Sequence, residues 1–181
     1  MAIEPKYEKV VSSERVKLGT TQAVIECRLP ASDSSEIAKI LCANAKSFIV
    51  NTEAKENEVE FLGNVNFQVI YENADGVANG LDYTADFKDK FSNNAITPQS
   101  VPIVQSVVVD VNTTINGNDV KVVAIVEISV EIIKTQEVNA LTGATGDNVF
   151  LDMAQLKVPN FVGMLYDKFD STYDIEIKDN V

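Results

Sequence analysis

Two long stretches of the chain alternate between apolar and polar positions with a period of two. In the first, positions 59, 61, 65, 67, 69 and 71 are Val, Phe, Val, Phe, Val and Tyr, with Gly63 the only gap. Glu60, Asn64, Asn66 and Gln68 fall between them. In the second, every even position from 120 to 132 is apolar: Val, Val, Ala, Val, Ile, Val, Ile. Successive side chains on a strand point to opposite faces, so each stretch is predicted to be a long strand with one buried side. Val123 and Ile125 are apolar as well, and the middle of the second strand is expected to be covered on both faces.

Around these two strands the pattern is more broken. Residues 1–30 read as an extended entry, with segments at 7–11, 16–18 and 23–29 ending at Pro30. Asp33 followed by Glu36 has capping-box spacing, and Ile37, Ile40 and Leu41 recur at helical intervals, which predicts one short helix there. A strand is expected at 47–50, then a charged turn, Lys-Glu-Asn-Glu, before the first long strand. Asp75-Gly76 and Asn79-Gly80 are turn signals, and 81–91 alternates again. A polar loop with Pro98 and Pro102 leads into a strand at 103–115, and Asn116-Gly117 joins that strand to the second long one as a hairpin. Beyond Val138 the sequence Asn-Ala-Leu-Thr-Gly-Ala-Thr-Gly-Asp-Asn reads as a loop, followed by a short helix at 151–156 and a final alternation at Tyr173, Ile175 and Ile177. The fold class predicted is mainly β: a β-sandwich-like domain of long antiparallel strands with one or two short helices. Residues 1–138 form the domain in this reading, and 139–181 an extension with a loop, a short helix and a terminal strand.

Composition narrows the chemistry. Hydrophobic residues make up 45% of 181, enough for one proper core. The formal net charge of −12 opposes binding to phosphate backbones and anionic lipid surfaces, so neither nucleic acid nor membrane is an expected partner. No stretch reaches the ~18 apolar residues of a membrane span, and the N-terminal segment is mixed in charge without an apolar run, so no signal peptide is expected. The chain has no histidine, which excludes Ser-His-Asp and Cys-His nucleophile systems and His-ligated zinc. Its carboxylates, such as Glu56, Glu58 and Glu60 or Glu127 and Glu131, fall at two-residue spacing on the polar faces of strands. Thr-Gly-Ala-Thr-Gly-Asp lacks the Lys-Ser/Thr of a phosphate loop. No enzyme and no cofactor is expected. Cys27 shares strand parity with Ile25 and Leu29 and reads as core-facing, while Cys42 lies just off the predicted helix's apolar face. The two are either structural thiols or, in an oxidising place, candidates for cross-linking within or between subunits.

The order of these features resembles a known family. Ala-Val-Ile-Glu-Cys-Arg-Leu-Pro leads into Ile-Ala-Lys-Ile, then Val-Glu-Phe-Leu-Gly-Asn-Val-Asn-Phe-Gln-Val-Ile-Tyr-Glu-Asn-Ala-Asp-Gly, a Tyr83-to-Phe87 strand and paired valine-rich strands. This is similar to the SPOCS domain of spore-coat-associated proteins of clostridia and related endospore formers, over roughly 16–135. In coat morphogenetic members of that family the domain precedes a peptidoglycan-binding LysM module, and no Gly-Asp-Thr-Leu element of that kind occurs here. The resemblance therefore implies a structural, self-assembling subunit of a spore surface layer or fibre, made in the mother-cell cytosol and deposited on the spore. Its partners would be copies of itself and other spore-coat proteins, joined through sheet edges and terminal strands, with Tyr173, Ile175 and Ile177 as candidates for strand donation. The alternative is a non-enzymatic adaptor that recruits another coat protein, using the loops at 93–102 and 141–148.

Overall fold

The computed structural model describes residues 3–31, 36–146, 150–152 and 154–164. Among them are six strands and no helix: β1 (Glu4–Pro30), β2 (Ile37–Lys55), β3 (Glu58–Asn73), β4 (Ala78–Ser92), β5 (Val101–Asn116) and β6 (Asp119–Thr145). They form two three-stranded sheets, ordered β1-β6-β5 and β2-β3-β4. Every pairing is antiparallel. The sheets pack face to face, with β5 beside β2 along one flank and β1 beside β4 along the other. The architecture is thus the expected β-sandwich, without the expected helices.

The two clean alternations are the central strands. The even row of β6 from Val120 to Ile132 is fully buried, and the apolar odd row of β3 from Val59 to Tyr71 is at most 1% exposed. These rows face each other and make up most of the core. Each central strand is hydrogen-bonded on both sides, so its only variable is which side chains point inward; period two follows. Val123 and Ile125 lie on the outer face of sheet β1-β6-β5 and are half-buried. No second layer covers them among the described residues, contrary to the expectation for that stretch.

The helix expected after Asp33 is instead the start of β2, and Asp33 itself lies outside the described residues. The reason is a series of bulges. The register of β2 on β3 shifts between Ile37 and Lys39, between Ile40 and Cys42, and again between Ile49 and Asn51. Each shift inserts one extra residue, so the inward positions run Ile37, Ile40, Ala43, Ala45. Three-residue spacing produced by bulges on an edge strand imitates helical spacing. The second expected helix is also absent: residues 151, 152 and 154–156 are not helical, and Leu151 and Leu156 are exposed. So short a segment gains too little from helical hydrogen bonds to offset nucleation when its apolar side chains find no surface to bury.

One end of the sandwich is closed by the loop between β4 and β5. Ile96 inserts into the core and is fully buried. Its carbonyl accepts from Asn57 N at 3.2 Å, its N–H donates to Asn93 O at 3.0 Å, and Asn93 N donates to Asn57 O at 2.9 Å. Ser100 Oγ accepts from Thr97 N at 3.1 Å, so the loop's two halves are tied together. Asn57, in the β2–β3 turn, takes φ 63°, a conformation Asn tolerates better than most residues. At the other end Gly117, φ 63°, makes the expected β5–β6 hairpin turn. Asn79-Gly80, expected as a turn, is inside β4.

Past Ile133, where β5 begins opposite β6, only β1 and β6 continue. Their pairing extends to Glu4 opposite Thr145 as a two-stranded arm that projects from the sandwich. The stretch expected as a loop at 139–148 is, through Thr145, the far end of β6. Cross-strand partners on β1 override its glycine and threonine content.

Candidate functional site

The described residues offer three surfaces: the arm with the free edge of β1, a groove between β2 and β5, and a charged ladder on the outer face of sheet β2-β3-β4.

On the arm, Tyr7 lies opposite Leu141 and Val10 opposite Val138. Tyr7 is 60% and Leu141 59% exposed, an apolar pair open to solvent on a ribbon that has no third strand among the described residues. Polar pairs fix the ribbon's register. Lys9 Nζ donates to Glu137 Oε2 at 2.9 Å, Ser13 Oγ lies 3.2 Å from Thr135 Oγ1, and Arg15 pairs with Glu131. Being exposed, these pairs specify alignment more than they stabilise. Among the described residues, the free edge of β1 carries one backbone partner from elsewhere: Ser13 N donates to Pro159 O at 2.8 Å. Phe161 N also donates to Ser13 Oγ at 2.9 Å. Backbone polar groups alternate in direction along an antiparallel strand, so Lys9, Val11 and Arg15 also turn their N–H groups outward with Ser13. The edge is therefore a row of outward donors and acceptors, the template to which another strand adds.

Between β2 and β5 lies a groove of ≈ 840 Å³ lined by both strands and by Glu127 and Ser129 on the outer face of β6. Among the described strands, β2 is hydrogen-bonded to β3 and β5 to β6. Ser47 Oγ is buried there with no hydrogen-bond partner among the described residues. On the outer face of sheet β2-β3-β4, Lys55 and Lys88 reach Glu60 at 2.8 and 3.2 Å, and Lys90 reaches Glu58 at 2.9 Å. Hydrogen bonds from Lys55 and Lys88 hold the Glu60 carboxyl below the usual carboxylate range. The same pairing raises Lys55, and the hydrogen bond to Glu58 raises Lys90. A carboxylate held in its charged form is poised opposite to a general acid.

The two cysteines are both free thiols and are not brought together. Cys27 is on the inward face of β1, half-buried against the core, as its parity predicts. Burial, then the charge of Glu26, raises its thiol above the ordinary range. Cys42 is exposed on the outer face of β2, opposite Ile70 of β3. Tyr173, Ile175 and Ile177 lie outside the described residues. Of the expected adaptor loops, 93–102 keeps Ile96 and Ser100 inside the fold, and most of 141–148 is strand. The arm and the groove were not anticipated. Their signal is topological: β1 and β6 are each 27 residues, and β5 only 16, so two strands must outrun the third.

Fold and surfaces together define a class: an all-β sandwich with exposed sheet edges, whose described residues include no helix long and apolar enough to cross a membrane. They also include no group of three or more His, Cys, Asp or Glu side chains placed to hold a metal ion. The family model described as SipL, SPOCS domain, matches residues 36–116. The resemblance to the SPOCS family therefore holds over β2, β3, β4 and β5, and it points to a sporulation-related role. β1 and β6, which build the arm, lie outside the match. No curated protein and no solved structure matches the chain.

Proposed function

We propose that this chain is a non-enzymatic, self-associating structural subunit of a bacterial spore surface layer or fibre, joined to its copies through sheet edges and terminal strands. The observation that carries the reading is the free edge of β1. It is 27 residues long, it leaves the sandwich as a two-stranded arm, and it presents Tyr7 and Leu141 to solvent. Soluble sheet proteins usually blunt such an edge with bulges, charge or a covering element. β1 carries register shifts at Lys6/Tyr7 and Lys17/Gly19, and between them its cover among the described residues is one backbone hydrogen bond, from Ser13 to Pro159. The SPOCS resemblance supplies the setting, a spore envelope. A surplus of carboxylates, 27 acidic against 15 basic residues, keeps free subunits apart until edges meet.

Light scattering over a concentration series, beside negative-stain electron microscopy, tests the proposal. The chain is expected to assemble, and Tyr7→Glu with Leu141→Glu to remain monomeric with an unchanged circular dichroism spectrum. A chain that stays monomeric at high concentration would move the weight to the adaptor reading.

A further inference from the structure

We infer that the segment Pro159–Phe161 is a removable cap on the free edge of β1, and that it must leave before a strand of a second copy adds there. The inference rests on the self-association reading and adds to it a control point, Ser13.

Ser13 stands at the root of the arm. It pairs with Thr135, and two residues on Arg15 pairs with Ile133, where β5 joins the sheet. The Ser13 N–H, one of the outward donors of the edge, is taken by the Pro159 carbonyl at 2.8 Å. Its hydroxyl accepts from Phe161 N at 2.9 Å and lies 3.2 Å from Thr135 Oγ1. A hydroxyl has one proton and two lone pairs, so Ser13 can hold Phe161 and still donate to Thr135. Residues 159–161 therefore straddle Ser13 where an incoming strand would lie. A strand that pairs along both the arm and the sandwich edge must displace them, because its own carbonyl needs the place of Pro159 O.

The cap is weaker than what would replace it. Proline has no N–H, so Pro159 accepts from Ser13 and returns no donor, whereas an added antiparallel strand engages both the N–H and the C=O of each outward residue. Proline is also among the residues with which sheets blunt their edges. The cap's hold on the fold is small. Among the described residues of 150–164, Phe161 alone is half-buried; the others are exposed, Leu156 at 85% and Val162 at 96%. Two hydrogen bonds and one partly covered ring make a contact that opens and recloses, and a neighbour's strand gains many more bonds along the 27 residues of β1. The cap is held within one chain and the added strand comes from another, so rising concentration favours the strand.

The test uses full-length chains in a Cys27→Ser, Cys42→Ser background carrying Ser13→Cys and Phe161→Cys, followed by light scattering over a concentration series. The approach of Phe161 N to Ser13 Oγ puts the two residues within disulfide reach. Mild oxidation of dilute protein is expected to close an intrachain disulfide, read by mass spectrometry. The oxidised chain should then stay dispersed at concentrations where the reduced chain assembles. In the otherwise unaltered chain, Phe161→Pro removes both the N–H and the ring. It should lower the concentration of half-assembly about fivefold, the factor that one hydrogen bond contributes. Absence of the intrachain disulfide would overturn the contact itself. An oxidised chain that assembles like the reduced one, or an unchanged half-assembly concentration in Phe161→Pro, would overturn the cap as a barrier and leave self-association standing. A chain that stays monomeric in every form, Phe161→Pro included, would remove the self-association reading and the control with it.

Discussion

Gly63 is the one gap in the inward row of β3, and the structure says why a side chain cannot be there. A Cβ at this position would lie 2.4 Å from Phe87 Cζ, 2.6 Å from Phe87 Cε1 and 2.7 Å from the Phe48 carbonyl oxygen. Phe87 stands directly across from Gly63 on β4 and covers the space a side chain would take. Gly63→Ala therefore leaves two outcomes. If Phe87 leaves the core, burial of ~150–200 Å² is lost, a ceiling of about 4–5 kcal/mol. If the strands shift instead, overpacking costs about 1–3 kcal/mol. Replacing glycine also stiffens the unfolded chain, which returns about 0.4–1 kcal/mol. The Phe48 oxygen is backbone and cannot turn aside, so the upper part of the overpacking cost applies, and after the returned term the net expectation is a loss of about 1–2.5 kcal/mol. Urea unfolding of dilute protein measures it, as a lower midpoint at an unchanged slope. In a Phe87→Leu background the loss should shrink but not vanish, because the clash with the Phe48 oxygen remains. A Gly63→Ala change within about 0.5 kcal/mol of the parent would refute the packing of Phe87 over Gly63.

Three further outcomes follow from named groups. Ile96→Ala should cost about 2–5 kcal/mol in the same unfolding assay, since it empties a fully buried site that closes one end of the sandwich. Thiol labelling followed by mass spectrometry should modify Cys42 well before Cys27, whose half-buried thiol is raised by burial and Glu26; the reverse order would contradict the placement of both. NMR titration of carboxyl groups should find Glu60 below the ordinary range, moving up in Lys88→Gln. Because its folded pKa lies below the unfolded one, the stabilisation from this ladder is present above the ordinary carboxylate range. It is lost as pH falls through the folded value.

How much of this was readable from residues alone depends on each strand's place in its sheet. β3 and β6 are central, and their inward rows were legible to the residue, including Gly63 as a gap. β2 is an edge strand with three register shifts, and its Ile37-to-Ile40 spacing was read as a helix. An edge strand can absorb an extra residue toward its free side, whereas a central strand would break two ladders to do so. The end of β6 was misread for a different reason. Leu-Thr-Gly-Ala-Thr has the composition of a loop, and only its pairing with β1, more than a hundred residues earlier in the chain, makes it a strand. Such distant pairing leaves no local trace. The groove was illegible too, because it arises where β2 and β5 fail to pair. The inward parity of Cys27 was legible, since β1 near it is regular from Gly19 to Pro30.

Hydrogen exchange across a concentration series, read by NMR or mass spectrometry beside light scattering, tests the central claim most directly. In the isolated subunit the outward amides of Lys9, Val11 and Arg15 face no partner strand among the described residues and should exchange quickly. The fully buried central rows of β3 and β6 should be protected at every concentration. If the chain assembles through the free edge of β1, protection at Lys9, Val11 and Arg15 will rise together with the scattered intensity. Particles that grow while these amides keep exchanging freely, or a chain that never grows, would contradict assembly through that edge.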